Sequence, residues 1–364
     1  MLYRRVIVLP HLSLFLVSLW VSAAVSQPAG STSSYSSPGR YEVANARLDV
    51  LATTGPGTPG GGGGGETIVA GEEGELLVHY PIGSGPFPVV LYMHPTHGLF
   101  FSGWAAQNGD MLRLLASRGL VVVSPVRVGS MGGVDAAAPI LGVLLPGAQN
   151  SAAVIEQRVY PRLQAFILHA LMQVCRRSEE DATFFAPLYG TLDTTHVAIM
   201  GFSSGAVLAV YAAEESQRTW PARVRAVVAL APTVDFEQYD SRATDLKVPL
   251  LLTAGRNDGM GGLAGMLVVG NVSTSAPRVA MVAEGGTHCH LYIPRFSQCK
   301  LPGEDVGHMA ALDRAATSAF LALYLQGDAG AADFTWGGAE AINARGLWSV
   351  AVTSVPLVEL KVGM

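Results

Sequence analysis

The chain has 364 residues, of which 49% are hydrophobic and 14% charged, and its formal net charge is −5 at pH 7. This composition is typical of a globular protein with a sizeable core, arranged as one large domain or two small ones. The negative charge and the lack of any Lys/Arg-rich run in the sequence argue against a role that depends on nucleic-acid phosphates.

Residues 1–26 have the pattern of a secretory signal peptide. Arg4 and Arg5 precede the apolar stretch "VIVLPHLSLFLVSLWV", and the small-residue region "SAAVSQ" offers a cleavage site after Ser26. Pro10 interrupts the apolar stretch, which disfavours a membrane-spanning helix. We therefore expect a secreted protein with no stable membrane span after cleavage, and the lumen of an organelle or a plastid is the alternative location.

Three regions follow the predicted signal peptide. The segment 27–40 is rich in Pro, Gly and Ser, carries no core-forming content and is predicted to be a linker. Residues 41–330 are predicted to form one domain, because no break in the pattern demands a second one. Residues 331–364 are predicted to be a C-terminal extension that packs on the domain or is partly disordered.

The domain is predicted to begin with two antiparallel strands. Residues 41–52 alternate between apolar and polar side chains, and the segment "ELLVHYP" follows the loop "TTGPGTPGGGGGGE". We expect this pair of strands to lie at the edge of a larger sheet.

From residue 88 onwards, short apolar runs alternate with helical patterns. The runs are "PVVLYMHP", "LVVVSP", "HVAIMGF", "RAVVALAP", "VPLLLTAG" and "RVAMVAE". The helical patterns are "AAQNGDMLRLLASRG", residues 152–177, the segment after residue 203, and "MAALDRAATSAFLALYLQGD". Continuous apolar runs are typical of parallel strands that are buried on both faces. The alternation predicts an α/β fold with a mostly parallel central sheet and helices on both faces.

The motif "GFSSG" lies between a predicted strand and a predicted helix. A sharp strand-to-helix turn would hold Ser203 in a strained conformation with its hydroxyl exposed above the sheet, and Gly201 and Gly205 would relieve the crowding. The start of the helix adds backbone N–H groups and the positive end of a dipole. In a chain with 42 glycines the bare motif is weak, so its position between strand and helix carries the prediction that Ser203 is a nucleophile.

A serine nucleophile needs a histidine that accepts its proton. Most of the nine histidines lie in the predicted signal peptide, in predicted strands or in a predicted helix. In the segment "GGTHCHLY", directly after the strand "RVAMVAE", His288 is the best placed. His290 and His308 remain alternatives.

An acid that orients the histidine is expected at another strand end, between the serine and the histidine in the chain. The segment "VPLLLTAGRNDGMGG" supplies a strand, a turn and then Asp258, whereas Asp235 after the preceding strand is the competing candidate. Ser203, Asp258 and His288 thus follow three strands in sequence. This combination supports the assignment more strongly than any single motif.

Two backbone N–H groups are expected to bind the negatively charged oxygen that forms when a serine attacks an ester. One is the N–H of Ser204, and the other belongs to the loop after "LYMH". Because Pro95 has no N–H, Thr96 is the predicted second donor, with His97 next in line.

Several segments together resemble chlorophyllases and related polyester hydrolases, cutinase-like and dienelactone-hydrolase-like proteins of the α/β-hydrolase superfamily. They are residues 86–128, "LDTTHVAIMGFSSGAVLAVYAA", "VPLLLTAGRNDGM" and "GGTHCHLY", and the resemblance covers roughly residues 40–330. It implies an α/β-hydrolase fold and a serine esterase with Ser203, Asp258 and His288 as catalytic triad. It also implies a hydrophobic ester as substrate and no metal or organic cofactor.

The chain departs from the family pattern in three places. Pro95 follows His94 where the family has glycine, Phe202 precedes the serine where the family has His or Tyr, and Gly205-Ala206 stands where the family has a pair of small glycines. None of these departures removes a chemical group that the reaction needs. The segment "VGHMAAL" is similar to the histidine segment of plant chlorophyllases, which keeps His308 as an alternative base.

The chain has three cysteines. Cys289 and Cys299 lie ten residues apart in a loop-like stretch and are expected to form a disulfide in an oxidising compartment, which the family resemblance also supports. Cys175 lies on the apolar face of a predicted helix and is expected to be a small buried hydrophobe. Asn271 in "NVS" is a candidate glycosylation site if the protein is secreted.

Large apolar side chains near the predicted site have two interpretations. Phe100, Phe101 and Trp104, together with the loop 136–147, form either an apolar rim for a hydrophobic substrate or part of the core. A small ester, a polyester, a phospholipid and chlorophyll are all candidate substrates, because fold does not fix substrate.

Two other functions compete with an esterase. The first is a catalytically inactive, hydrolase-like secreted binding protein, which would have no use for a complete triad. The second is a metal site built from His288, His290, Cys299 and His308, but their spacing fits no common zinc pattern. We expect a monomer that acts on a small-molecule or polymeric ester.

Overall fold

The computed structural model describes most of the predicted domain. The described residues are 35–52, 72–93, 109–128, 160–183, 185–233, 246–259, 262, 265–266, 269, 277–283, 286–288, 306–337 and 348–351. The predicted signal peptide lies outside them.

Nine strands of the described residues form one sheet, in the order β1-β2-β4-β3-β5-β6-β7-β8-β9. The strands are β1 (Val43–Ala52), β2 (Glu72–Pro81), β3 (Phe87–Met93), β4 (Val121–Val128), β5 (Leu192–Phe202), β6 (Val224–Leu230), β7 (Leu250–Gly255), β8 (Arg278–Ala283) and β9 (Trp348–Ala351). The six strands from β3 to β8 are parallel to one another. The antiparallel strands β1 and β2 form one edge, and β9 pairs antiparallel with β8 at the other. The predicted mostly parallel sheet is confirmed.

The helices cover both faces of this sheet. Those of eight or more residues in the described segments are α1 (Gly109–Ser117), α2 (Tyr160–Glu180), α3 (Ser204–Thr219) and α4 (Val306–Gln326). One core layer lies between the sheet and helices α2 and α3, and the other between the sheet and helices α1 and α4. The α/β architecture expected from the alternating sequence pattern is therefore present.

Strand β3 shows why the central strands read as unbroken apolar runs. Side chains alternate between the two faces of a strand. Val89, Leu91 and Met93 point into the layer beneath α2 and α3, whereas Val90 and Tyr92 point into the layer beneath α1 and α4. All seven residues of the strand are buried. A strand covered on both faces needs apolar side chains at every position.

Residues from the predicted linker and the C-terminal extension pack against the domain. The hydroxyl of Tyr35 donates a hydrogen bond to Asp328 at 3.1 Å, and its ring lies 5.5 Å from that of Phe334. The backbone N–H of Gly39 donates to the hydroxyl of Ser117 at 2.7 Å. The Pro/Gly/Ser composition of the linker does not predict these contacts. The C-terminal extension also supplies strand β9.

Cys175 is buried in helix α2, with 2% of its surface exposed, as the sequence predicts. Burial raises the pKa of its thiol to about 12, and the nearby Glu179 adds to the effect. Cys289, Cys299 and Asn271 lie outside the described residues. Among the helices of the described residues, none has the length and apolar character required to cross a bilayer.

Candidate active site

Three loops meet at the carboxyl edge of the parallel strands. Ser203 directly follows β5, Asp258 follows β7 and His288 follows β8. In open α/β sheets this edge is where ligands bind, because the loops after the strands surround a common crevice. The three predicted residues therefore come from separate parts of the chain to one side of the sheet.

Ser203 occupies a strained turn between β5 and α3. Its backbone has φ 57° and ψ −127°, in a region that residues other than glycine rarely adopt. The N–H of Ser203 donates to the carbonyl of Leu230 in the neighbouring strand at 2.9 Å, and its own carbonyl accepts from the N–H of Ala206 at 3.0 Å. Such a conformation costs about 1–3 kcal/mol and persists only where the surroundings fix it.

Gly201 allows the helix to approach the strand closely. A Cβ atom at this position would overlap the carbonyl oxygen of Gly205 in the first turn of α3. The glycine before the serine in the motif is thus required by the tight turn. The predicted role of Gly201 in relieving crowding is confirmed.

A continuous chain of hydrogen bonds joins the three side chains. His288 Nδ1 lies 2.7 Å from Asp258 Oδ2, and His288 Nε2 lies 3.0 Å from Ser203 Oγ. An ionised carboxylate only accepts hydrogen bonds, so Nδ1 carries the proton and Nε2 is the acceptor for the serine hydroxyl. This is the arrangement in which a histidine is ready to take a proton from the serine.

The hydrogen-bonded side chains are shielded from solvent. The side chain of Asp258 is fully buried, and that of His288 is 7% exposed. Ser203 is 8% exposed. Because water is largely excluded, electrostatic interactions between these groups are stronger than they would be on the surface.

The loops that carry Asp258 and His288 are tied together through their backbones. The N–H of Asn257 donates to the carbonyl of Gly286 at 2.8 Å, and the N–H of Arg256 donates to the carbonyl of Ala283, also at 2.8 Å. A Cβ atom on Gly255 would overlap the carbonyl oxygen of Gly286. The position of the acid relative to the histidine is therefore set by main-chain contacts.

Two further residues contact the hydrogen-bonded group. The ring of Phe202 lies 4.8 Å from the ring of His288, so this phenylalanine packs against the imidazole. Thr233 Oγ1 lies 3.2 Å from Ser203 Oγ. No sequence motif singles out Thr233, although its place just after the run "RAVVALAP" puts it at the same sheet edge.

Of the other predicted site residues, Ser204 and His308 lie in described helices, and the rest lie outside the described residues. Ser204 is the first residue of α3, next to Ser203. His308 lies in the first turn of α4, and His288 is the histidine that contacts the serine. The remaining candidates fall on positions that the structure does not describe. They are Thr96, His97, Phe100, Phe101, Trp104, the loop 136–147, Asp235 and His290.

Within the residues that the structure describes, no group of three or more His, Cys, Asp or Glu side chains is arranged to hold a metal ion. A scan against models of protein families and a comparison with curated proteins found no match to this chain.

Proposed function

We propose that the protein is a secreted serine hydrolase of the α/β-hydrolase superfamily that cleaves carboxylic esters through an acyl-enzyme. The observation that carries this proposal is the hydrogen-bonded chain from Asp258 through His288 to Ser203 at the carboxyl edge of the sheet. The strained backbone of Ser203 costs stability. Strain of this kind is concentrated at functional sites, which supports a role for this buried serine in acting on a substrate.

The first half of the reaction forms an ester with the enzyme. Ser203 Oγ attacks the carbonyl carbon of the substrate while His288 Nε2 takes the serine proton. Asp258 holds the imidazole in the required tautomer and stabilises the imidazolium. His288 then gives the proton to the alcohol as the bond between the carbonyl carbon and the alcohol oxygen breaks.

Backbone donors at the start of α3 stabilise the negative charge on the carbonyl oxygen. Ser204 follows the nucleophile and begins the helix, where the helix dipole places partial positive charge. Donors aimed at the developing oxyanion contribute about 10²–10³ in rate each. The second donor proposed from the sequence is Thr96.

The second half of the reaction releases the acid. A water molecule attacks the acyl carbonyl and gives its proton to His288 Nε2. The bond to Ser203 Oγ breaks, the electron pair returns to Oγ, and Oγ takes the proton back from His288. The free enzyme is regenerated.

Membership of the α/β-hydrolase superfamily is supported by two features beyond the sheet. The serine is at a strand-to-helix turn with positive φ, and the order serine, acid, histidine along the chain is the one that characterises this superfamily. The family resemblance of the sequence motifs points to a hydrophobic ester as substrate. The signal-peptide pattern supports secretion.

A catalytically inactive binding protein is the competing proposal. It would not need the buried pairing of Asp258 and His288 or the strain at Ser203. The paired distances of 2.7 and 3.0 Å therefore favour an enzyme.

Hydrolysis of a chain-length series of p-nitrophenyl esters tests the proposed function. We expect turnover by the wild type and a loss of at least 10³-fold in Ser203→Ala, because the nucleophile is removed. Ser216→Ala is the matched control, since Ser216 lies on the same helix and its hydroxyl donates to the backbone carbonyl of Ala213. Equal activity of the Ser203→Ala variant and the wild type would contradict the proposal.

A further inference from the structure

The chain leaves the sheet after β6 directly beside the nucleophile. The N–H of Ala231 donates to the carbonyl of Thr253 at 2.7 Å, and Ala231 has a positive φ of 43°. The N–H of Thr233 then lies 3.4 Å from the carbonyl oxygen of Ser203. The backbone thus brings Thr233 back against the serine turn, where its hydroxyl reaches Ser203 Oγ at 3.2 Å.

The direction of this hydrogen bond follows from the count of protons. The Ser203 hydroxyl has one proton, and the proposed mechanism requires it to point at His288 Nε2, 3.0 Å away. Only donation from Thr233 to Ser203 leaves that proton in place. Donation from Ser203 to Thr233 would instead withdraw the proton from the base.

The valence of Ser203 Oγ leaves one lone pair for a substrate. A hydroxyl oxygen has four roughly tetrahedral directions, and Cβ, His288 and Thr233 account for three of them. The fourth is left for the carbonyl carbon. Thr233 is therefore compatible with attack, and its hydrogen bond can persist while the substrate is bound.

We propose that Thr233 is a catalytic residue that donates a hydrogen bond to Ser203 Oγ and speeds its release from the acyl-enzyme. This inference rests on the proposed function. In the acyl-enzyme, Oγ is an ester oxygen whose lone pair is shared with the carbonyl, and it accepts hydrogen bonds poorly. As water attacks and the bond between the acyl carbon and Oγ breaks, negative charge develops on Oγ, and the Thr233 donor stabilises it. The proton that Oγ takes up comes from His288, and Thr233 keeps its own.

Formation of the acyl-enzyme gains little from the same donor. The serine hydroxyl already accepts from Thr233 before the attack, so the hydrogen bond is present both in the free enzyme and in the transition state. Uniform stabilisation of both leaves the rate of this step unchanged. A role for Thr233 therefore appears in deacylation alone.

Thr233→Val removes the donor with little change in shape, and Thr233→Ser keeps it. We expect kcat of Thr233→Val on p-nitrophenyl butyrate to fall about five- to tenfold, the worth of one hydrogen bond. KM falls by the same factor and kcat/KM stays constant, because only the deacylation step slows. We expect stopped-flow traces of Thr233→Val to show a burst of nitrophenol followed by a slower steady-state phase than in the wild type, and Thr233→Ser to retain the wild-type values.

Thr219→Val is the matched control, since the exposed Thr219 hydroxyl donates to the carbonyl of Glu215 far from the serine. Three results for Thr233→Val would overturn the inference: a fall in kcat/KM, unchanged kinetics, or faster turnover. In each case, ester hydrolysis by the wild type would still support the proposed function. Failure of the wild type to hydrolyse any ester or to label with a fluorophosphonate would overturn both.

Discussion

Replacement of Asp258 by asparagine tests the role proposed for this buried carboxylate. The Asp258 side chain is fully buried and lies 2.7 Å from His288 Nδ1. An asparagine side chain has nearly the same shape but is neutral, and its NH₂ group favours the tautomer with the proton on Nε2. That tautomer has no acceptor for the Ser203 proton, so both the charge and the orientation of the base are lost.

The size of the effect follows from the electrostatics of the buried pair. When His288 takes the serine proton it becomes an imidazolium beside the carboxylate. Two opposite charges about 4 Å apart attract by about 4 kcal/mol at an effective dielectric constant of 20. Loss of this attraction corresponds to a fall in kcat of about 10³-fold.

The assay is the pH dependence of kcat for p-nitrophenyl butyrate between pH 6 and 9. Asp193→Asn is the matched control, because Asp193 pairs with Nδ1 of His196 at the same distance, 2.7 Å, at the start of β5. We expect the control to keep wild-type activity and Asp258→Asn to lose about 10³-fold across the whole range. Retention of more than a tenth of the wild-type kcat by Asp258→Asn would refute the assignment of the acid.

Two further substitutions test the packing of the fold. Gly201→Ala places a Cβ against the Gly205 carbonyl, so we expect a loss of about 2 kcal/mol in the free energy of unfolding and lower activity. Gly109→Ala is the control and should fold normally, because its Cβ meets nothing within 4 Å. Equal denaturation midpoints for the two variants would contradict this expectation. Burial, with a contribution from Arg113, lowers the pKa of His79 from 6.5 to about 4, so the unfolded chain binds the proton first and stability falls as the pH drops below 6.5. Between pH 7 and 4.5 we expect His79→Phe to lose about 2 to 3 kcal/mol less stability than the wild type in urea titrations, and an unchanged pH dependence would contradict the buried neutral histidine.

The sequence predicted the central strands because burial on both faces leaves a local signal. The runs that became β3, β5, β6, β7 and β8 are short, apolar and bounded by turns. Strand β9 has four residues and no such run, and it exists through its pairing with the edge of β8. Pairing between distant segments cannot be read from a local pattern.

The juxtaposition of Ser203, Asp258 and His288 could be predicted from the sequence because of the topology of parallel strands. Their carboxyl ends share one edge, so polar residues that follow successive strands meet there. This rule brought Ser203, Asp258 and His288 together. The contact of Thr233 with Ser203 could not be predicted, since it depends on the side-chain direction after β6 and on a positive φ at Ala231.

The packing of Tyr35 was missed for a similar reason. The Pro/Gly/Ser sequence around Tyr35 is typical of a linker. Asp328 and Phe334, which are distant in sequence, nevertheless contact its hydroxyl and its ring. Arg118 lies 5.6 Å from the centre of the same ring. Tertiary contacts here outweigh the local composition.

The central claim is that the Ser203 hydroxyl is activated by His288. Intact-protein and peptide mass spectrometry after treatment with a fluorophosphonate measures this directly, because the reagent reacts with activated serines and scarcely with ordinary ones. We expect one phosphonyl group per chain, attached to Ser203 and strongly reduced in His288→Ala. Labelling at another serine, or an unlabelled folded protein, would contradict the activation of Ser203 by His288.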